Sequence, residues 1–142
     1  MQQKSGNDNK MEKIINIITG KLNIKVQLNN SKTAKELFEI LPFSSNVNRW
    51  GDEIYFSTPL KAVIENGIEE VDIGTVAFWP PGGALCIFFG KTPASHGDKP
   101  QAASPVTIIG NIINIEIIKE LKEIRDGEKI YCNNFYKGSE SL

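Results

Sequence analysis

Residues 72–93 read DIGTVAFWPPGGALCIFFGKTP. Two apolar runs, 76–79 and 84–89, are hinged by Pro80, Pro81, Gly82 and Gly83 and followed by a second break at Gly90 and Pro93. Proline pushes the residue before it out of the helical region, so Trp79 is extended. Pro81 followed by Gly82 suits a type II turn, in which glycine supplies the positive φ. The stretch predicts a buried strand pair joined by a stiff turn. No other segment is as apolar or as heavily punctuated, and the rest of the chain is expected to wrap around it.

On the N-terminal side, Leu22, Ile24, Val26 and Leu28 alternate with Asn23, Lys25 and Gln27, the period of a half-buried strand. Thr19 and Gly20 separate it from the apolar run 14–18, which predicts an opening β-hairpin. The period then changes. Thr33 with Glu36 has the form of a capping box, Ala34, Leu37, Phe38 and Leu41 fall at helical spacing, and Pro42 stops the helix. Residues 42–59, PFSSNVNRWGDEIYFSTP, read as a Ser- and Asn-rich loop that becomes a strand at 53–57. Residues 59–71 carry a weak alternation and a turn at Glu65, Asn66 and Gly67.

On the C-terminal side, residues 90–105, GKTPASHGDKPQAASP, form a long loop, of the kind that is usually functional or mobile. The run 106–113 is a further strand. Ile117, Ile118, Leu121 and Ile124 give a second amphipathic helix, closed by Asp126 and Gly127, and 128–135 is the last strand. Many short strands with two short helices predict a mostly β chain, a closed antiparallel barrel with helices capping its ends. One domain is expected over residues 13–136, with a disordered arm at 1–12 and a frayed tail at 137–142.

The 142 residues are 40% apolar and carry 16 basic and 17 acidic side chains, a net charge of −1. That balance lacks the electrostatic footprint of a nucleic-acid or membrane-surface binder. The expected partners therefore include neither nucleic acid nor membrane. The most apolar stretch is cut by two prolines, so nothing reaches the roughly 18 apolar residues of a spanning helix. The two cysteines, Cys86 and Cys132, read as free buried thiols, and a cytoplasmic location is expected.

Several imitations of chemistry fail on spacing. Gly90, Lys91 and Thr92 resemble the end of a phosphate-binding loop, but Leu85 stands where the motif needs glycine and Pro93 where it needs a helix. Ser95, His96 and Asp98 are too close in one loop to hold triad geometry. His96 is the only histidine, so no metal site and no cofactor are expected. Cys86 lies in an apolar strand with no cationic neighbour in sequence, which leaves its thiol inert. Trp50 among Arg49, Asp52 and Glu53 is a binding candidate at a loop end. The bland alternative has Trp50 packed on the rim and Arg49 paired with Asp52 or Glu53.

NRWGDEIYFSTP at 48–59, IGTVAFWPPGGALCIFFGKTP at 73–93, ASPVTIIG at 103–110 and EIRDGEKI at 123–130 resemble cyclophilin-fold proteins, and more closely a small prokaryotic family of atypical cyclophilin-like proteins of unestablished role. The resemblance implies a closed eight-stranded cyclophilin-like β-barrel with two short capping helices. Cyclophilins proper are peptidyl-prolyl isomerases that lower a barrier of about 18–20 kcal/mol without a nucleophile. In an ungapped comparison on Gly110, Val106 stands at their groove histidine and Gln101 at their tryptophan, and Arg49 is the arginine available. The leading expectation is therefore a binding module with a degenerate isomerase groove rather than an enzyme. It would take a proline-containing peptide or a small ligand through Arg49, Trp50, Glu53, Tyr55, Trp79 and Phe88. The alternative is a weak peptidyl-prolyl isomerase with Arg49 as its electrophilic group. A third reading, a hydrolase or small-molecule isomerase using Glu53, requires that carboxylate beside an enclosed pocket.

Overall fold

The structure, a computed structural model, describes residues 13–135. The arm expected at 1–12 and the tail at 137–142 lie outside the described residues.

The opening hairpin forms as expected from its period: β1 (Ile14–Thr19) and β2 (Leu22–Leu28) pair antiparallel, with Ile17 opposite Ile24. Helix α1 (Lys32–Glu39) follows, but its N-cap is Ser31 and not Thr33. The Ser31 hydroxyl accepts from the Ala34 N–H at 3.1 Å. Glu65, arriving from a distant loop, accepts from the Lys32 and Thr33 N–H groups and from the Thr33 hydroxyl. Between them these two side chains satisfy the donors that a helix start leaves unpaired.

Residues read as loop turn out to be edge strands: β3 (Phe43–Asn46) and β4 (Asn48–Arg49). Their Ser and Asn side chains alternate outward, which an edge strand tolerates and which hides the strand in a polar composition. Then come β5 (Glu53–Ser57), an irregular stretch, β6 (Ile68–Glu70), β7 (Thr75–Trp79) and β8 (Ala84–Phe88). Strand β9 (Gln101–Ile112) begins five residues earlier than the run 106–113 suggested, and β10 (Lys129–Phe135) ends the described chain.

The architecture is mostly β, antiparallel, with two helices. The closed eight-stranded barrel is not what forms. Among the described residues, ten strands make one sheet in the order β3-β10-β1-β2-β9-β7-β8-β5-β4, with β6 paired to β9, and the hydrogen-bonded path is open. Its two edges are consecutive pieces of one segment. β3 follows β10, β4 follows β5, and Val47 between them gives its N–H to the Glu128 carbonyl and its carbonyl to the Gly127 N–H. A single segment that changes partner midway leaves each edge without a neighbour on its far side.

The second helix is a 3-10 helix over Ile115–Glu123. Asn114 at its start directs its carboxamide to the Lys25 N–H and the Asn23 carbonyl of β2, not to the helix. Nine residues at a 3-10 rise span about 18 Å, farther than an α-helix would. Ile117 and Leu121 still turn inward.

Alternation along the strands divides the apolar residues into two cores. Ile54, Phe56, Val76, Phe78, Leu85, Ile87 and Ile109 face a main core shared with β1, β2 and α1. Their neighbours Ala77, Cys86, Phe88, Ala102 and Val106 face the opposite side of the sheet, where Val71, Tyr55 and Trp79 join them in a second, smaller core. Among the described residues, no helix is long and apolar enough to cross a membrane.

Candidate functional site

The second core is incomplete, and the gap in it is the candidate site. β4 and β5 are joined by the two-residue turn Gly51–Asp52, where Gly51 takes φ +64°. Trp50 and Glu53 pair across it: the Trp50 N–H donates to the Glu53 carbonyl at 2.9 Å and the Glu53 N–H to the Trp50 carbonyl at 3.2 Å. Opposed residues share a face, and so do residues two apart. Trp50, Glu53 and Tyr55 are thereby aimed to one side. Tyr55 lies opposite Cys86, which lies opposite Ala77.

Trp79 closes the adjacent wall, and the PPGG hinge is what holds it there. Pro80–Gly82 is a single 3-10 turn rather than a type II turn, and the left-handed residue is Gly83, at φ +56°, not Gly82. Gly82 is needed for another reason. A Cβ there would stand 2.6 Å from Cζ3 and 2.7 Å from Cε3 of the Trp79 ring, which occupies that space. The ring's other anchor is its Nε1–H, which donates to the Ser104 hydroxyl at 2.8 Å. Tyr55 meets Trp79 edge to face, centroids 6.1 Å apart and planes at 73°.

Trp50, Glu53, Tyr55, Trp79, Cys86, Ala102, Ala103 and Val106 surround a cavity of about 240 Å³. That is somewhat below the roughly 300–1,000 Å³ typical of drug-sized ligands, and it suits a compact group. The start of β9 borders it with two small side chains, Ala102 and Ala103, so the space exists where larger residues would have filled the core. The preceding loop is firmly tied. The Thr92 hydroxyl donates to the Gln101 carbonyl at 2.6 Å, the Ser95 hydroxyl to the Lys99 carbonyl at 2.8 Å, and the Asp52 N–H to the Lys91 carbonyl at 2.9 Å.

Glu53 is the unusual member. It is only 5% exposed, and among the described residues its Oε1 has no hydrogen-bond partner. Burial pushes its carboxyl up from 4.5 to about 7, and a hydrogen bond from the Cys86 thiol offsets part of the rise. Burial, and after it the Glu53 charge and hydrogen bond, hold the Cys86 thiol well above its ordinary range. Cys86 is thus a weak donor to Glu53 and not a nucleophile.

Of the candidate residues, Trp50, Glu53, Tyr55 and Trp79 line the cavity; Arg49 and Phe88 do not. Phe88 is fully buried in the second core, in register with Glu53. Arg49 donates to the Gly51 carbonyl from Nε and Nη2 at 3.1 and 2.8 Å, and from Nη1 to the Lys122 and Ile124 carbonyls at 3.0 and 2.7 Å. It also pairs with Asp52 at 3.4 Å and stacks over Phe89. That guanidinium fastens the β4–β5 turn to the end of the 3-10 helix. Its pairing with Asp52 matches half of the bland alternative, while Trp50 lines the cavity.

The lining residues that the sequence did not mark as site candidates are Cys86, Ala102, Ala103 and Val106. Strand parity, two residues before Phe88, was the available signal for Cys86. For the alanines no signal exists, because their role is to leave room. His96 and Asp98 are exposed and Ser95 is bonded within its loop. Among the described residues, no cluster of three or more His, Cys, Asp or Glu side chains could hold a metal ion.

The family model for cyclophilin-like proteins matches residues 13–133. The chain belongs to the cyclophilin-like family. Its fold is similar to the solution structure of a hypothetical protein from Archaeoglobus fulgidus, 38% identical, with a TM-score of 0.74 over 87% of this chain and 95% of that one. No curated protein matches the chain. Val106, which the ungapped sequence comparison sets at the cyclophilin groove histidine, presents an apolar wall to the cavity. Gln101, which the same comparison sets at the tryptophan, bonds to Glu69 at 3.3 Å.

Proposed function

We propose that this cyclophilin-like chain is a small-ligand binding protein. The pocket walled by Trp50, Tyr55 and Trp79 takes a compact apolar or aromatic group, and Glu53 supplies its polar anchor. The observation that carries this reading is the buried, unpartnered Oε1 of Glu53 at the wall of a cavity. A buried polar atom left unpaired costs about 1–3 kcal/mol, and a ligand that hydrogen-bonds to it recovers that cost on binding. Both tryptophans of the chain line the cavity, so tryptophan fluorescence and the two indole N–H resonances report on this site. A library of fragments, including proline amides, screened by ligand-observed NMR is expected to yield binders that shift both indole signals and that Trp79→Ala weakens at least tenfold. Binders that leave both indoles unmoved would refute the assignment of the site.

A second reading is supported by the Glu53 carboxyl at about 7. Such a group is matched to general acid–base work near neutral pH. A bound fragment that is converted by the wild type, and bound but unconverted by Glu53→Gln, would establish it. Peptidyl-prolyl isomerisation is disfavoured by the placement of Arg49, whose donors are engaged by backbone carbonyls outside the cavity. A prolyl-peptide assay at high protein concentration is expected to show no acceleration.

A further inference from the structure

We propose that the ligand of this pocket is an organic cation: a methylated ammonium head group seated among the rings of Trp50, Tyr55 and Trp79, with the Glu53 carboxylate as its counter-ion. The proposal deepens the reading of the pocket as a ligand site and rests on it. Three observations point to this class of ligand.

The first is charge. Among the described residues, no lysine or arginine lines the cavity. Three cations of neighbouring segments are engaged elsewhere: Arg49 with carbonyls and Asp52, Lys122 with Asp52 at 2.8 Å, and Lys99 with Asp72 at 3.0 Å. A carboxylate buried without a cation is strongly disfavoured, and a cation brought by a ligand compensates it.

The second is the wall. Indole is the best aromatic partner for a cation, and here two indoles and a phenol ring border one cavity. Tyr55 and Trp79 stand at 73° to each other, the arrangement of adjacent walls rather than of a stack. Trp79 is held by Ser104 and by the absence of a side chain at Gly82, so the wall exists before a ligand arrives.

The third is size. About 240 Å³, with alanines at positions 102 and 103, admits a head group but not an extended ligand. A methylated ammonium is compact and more weakly hydrated than a primary amine, so it enters an apolar enclosure at lower cost. A divalent metal would need more ligands than one carboxylate and one protonated thiol provide. The head group could belong to a free quaternary amine or to the end of a methylated lysine side chain, and the probes below separate the two.

Protonation of Glu53 competes with the cation. The titratable groups facing it in the cavity are Cys86 from β8 and Tyr55 from β5, while Trp79 of β7, Ala102, Ala103 and Val106 of β9, and Trp50 carry none. With the free carboxyl at about 7, about one carboxyl in ten is ionised at pH 6 and nearly all at pH 8.5.

The test titrates the full chain with tetramethylammonium, choline and Nα-acetyl-trimethyl-lysine amide. The uncharged isostere of choline, 3,3-dimethylbutan-1-ol, serves as comparison, and the two indole resonances are followed at pH 6 and 8.5. The expected result is that the cations bind at least tenfold tighter than the isostere at pH 8.5 and lose about tenfold at pH 6. Glu53→Gln is expected to remove both differences. A preference for choline identifies a free amine, and a preference for the lysine derivative a modified side chain. Equal binding of cation and isostere by the wild type at pH 8.5 would overturn the cation proposal and leave the ligand site standing. If neither cations, isostere nor library fragments moved the indoles, both readings would fall. The wild-type comparison decides even if the variant folds poorly.

Discussion

Replacing Glu53 by glutamine should make this protein more stable above neutral pH, and the size of the effect follows from its burial. The folded state raises the carboxyl from 4.5 to about 7 because the site is desolvated. A group whose folded value lies above its unfolded one holds its proton more tightly when folded. Its contribution to stability is therefore fully present below 4.5 and is lost as pH rises through about 7. At about 1.4 kcal/mol for each tenfold change in proton affinity, the loss builds between 4.5 and about 7, reaches about 3 kcal/mol near pH 7 and levels off above it. For a domain of this size that corresponds to about 10 °C in Tm. Glutamine keeps the shape of the protonated acid and cannot ionise. Thermal or urea unfolding of wild type and Glu53→Gln at pH 4, 5, 6, 7 and 8 should give curves that agree at pH 4 and diverge from about pH 5, the variant being the more stable by about 2 kcal/mol at pH 6 and about 3 kcal/mol at pH 7 and above. If the two curves ran parallel across the range, Glu53 would be solvated in the folded state and the reasoning about the pocket would fail.

Arg49→Ala should lower stability by about 2–3 kcal/mol, through lost bonds to the Gly51, Lys122 and Ile124 carbonyls and lost stacking on Phe89, while leaving fragment affinity within a factor of about two; a chemical denaturation curve and one titration check both. Gly82→Ala should cost about 1 kcal/mol but should displace the Trp79 ring, breaking its bond to Ser104. A shifted Trp79 indole signal and weakened fragment binding are the readouts, and an unchanged spectrum would contradict the packing described. Cys132 is pushed by burial to about 12 and Cys86 well above its ordinary value, so neither thiol should react with a disulfide reagent at pH 8 until the chain is unfolded. Rapid reaction of either in the native protein would contradict its burial.

The strand pair around the PPGG hinge was legible because its apolar runs and its prolines both act locally. The same holds for the β1–β2 hairpin, whose alternation is strict. What escaped depends on partners distant in sequence. β3 and β4 are polar strands that exist because β10 and β5 pair with them, and residues 102–105 are small and end in a proline, so nothing local marks them as strand. Thr33 imitates an N-cap, but Ser31 takes the position and Glu65 arrives from 32 residues away. The aromatic members of the pocket could be named from their place beside turns and charges. The burial of Glu53 could not, because a glutamate at a loop end is ordinarily solvated and only the register that sets it opposite Phe88 encloses it. The cavity itself is written in residues that are small, and a missing side chain leaves no pattern. The positive φ at Gly83 rather than Gly82 is a similar case, since either glycine fits the hinge and only the Trp79 ring distinguishes them.

The most direct measurement on the site is the titration of the Glu53 side-chain carboxyl carbon by NMR in uniformly labelled protein, assigned with Glu53→Gln. A midpoint near 7 in the free protein, moving down when a cation occupies the pocket, is the predicted result. A midpoint near 4.5, unmoved by any probe, would contradict a buried, unpaired carboxyl and the ligand site built on it.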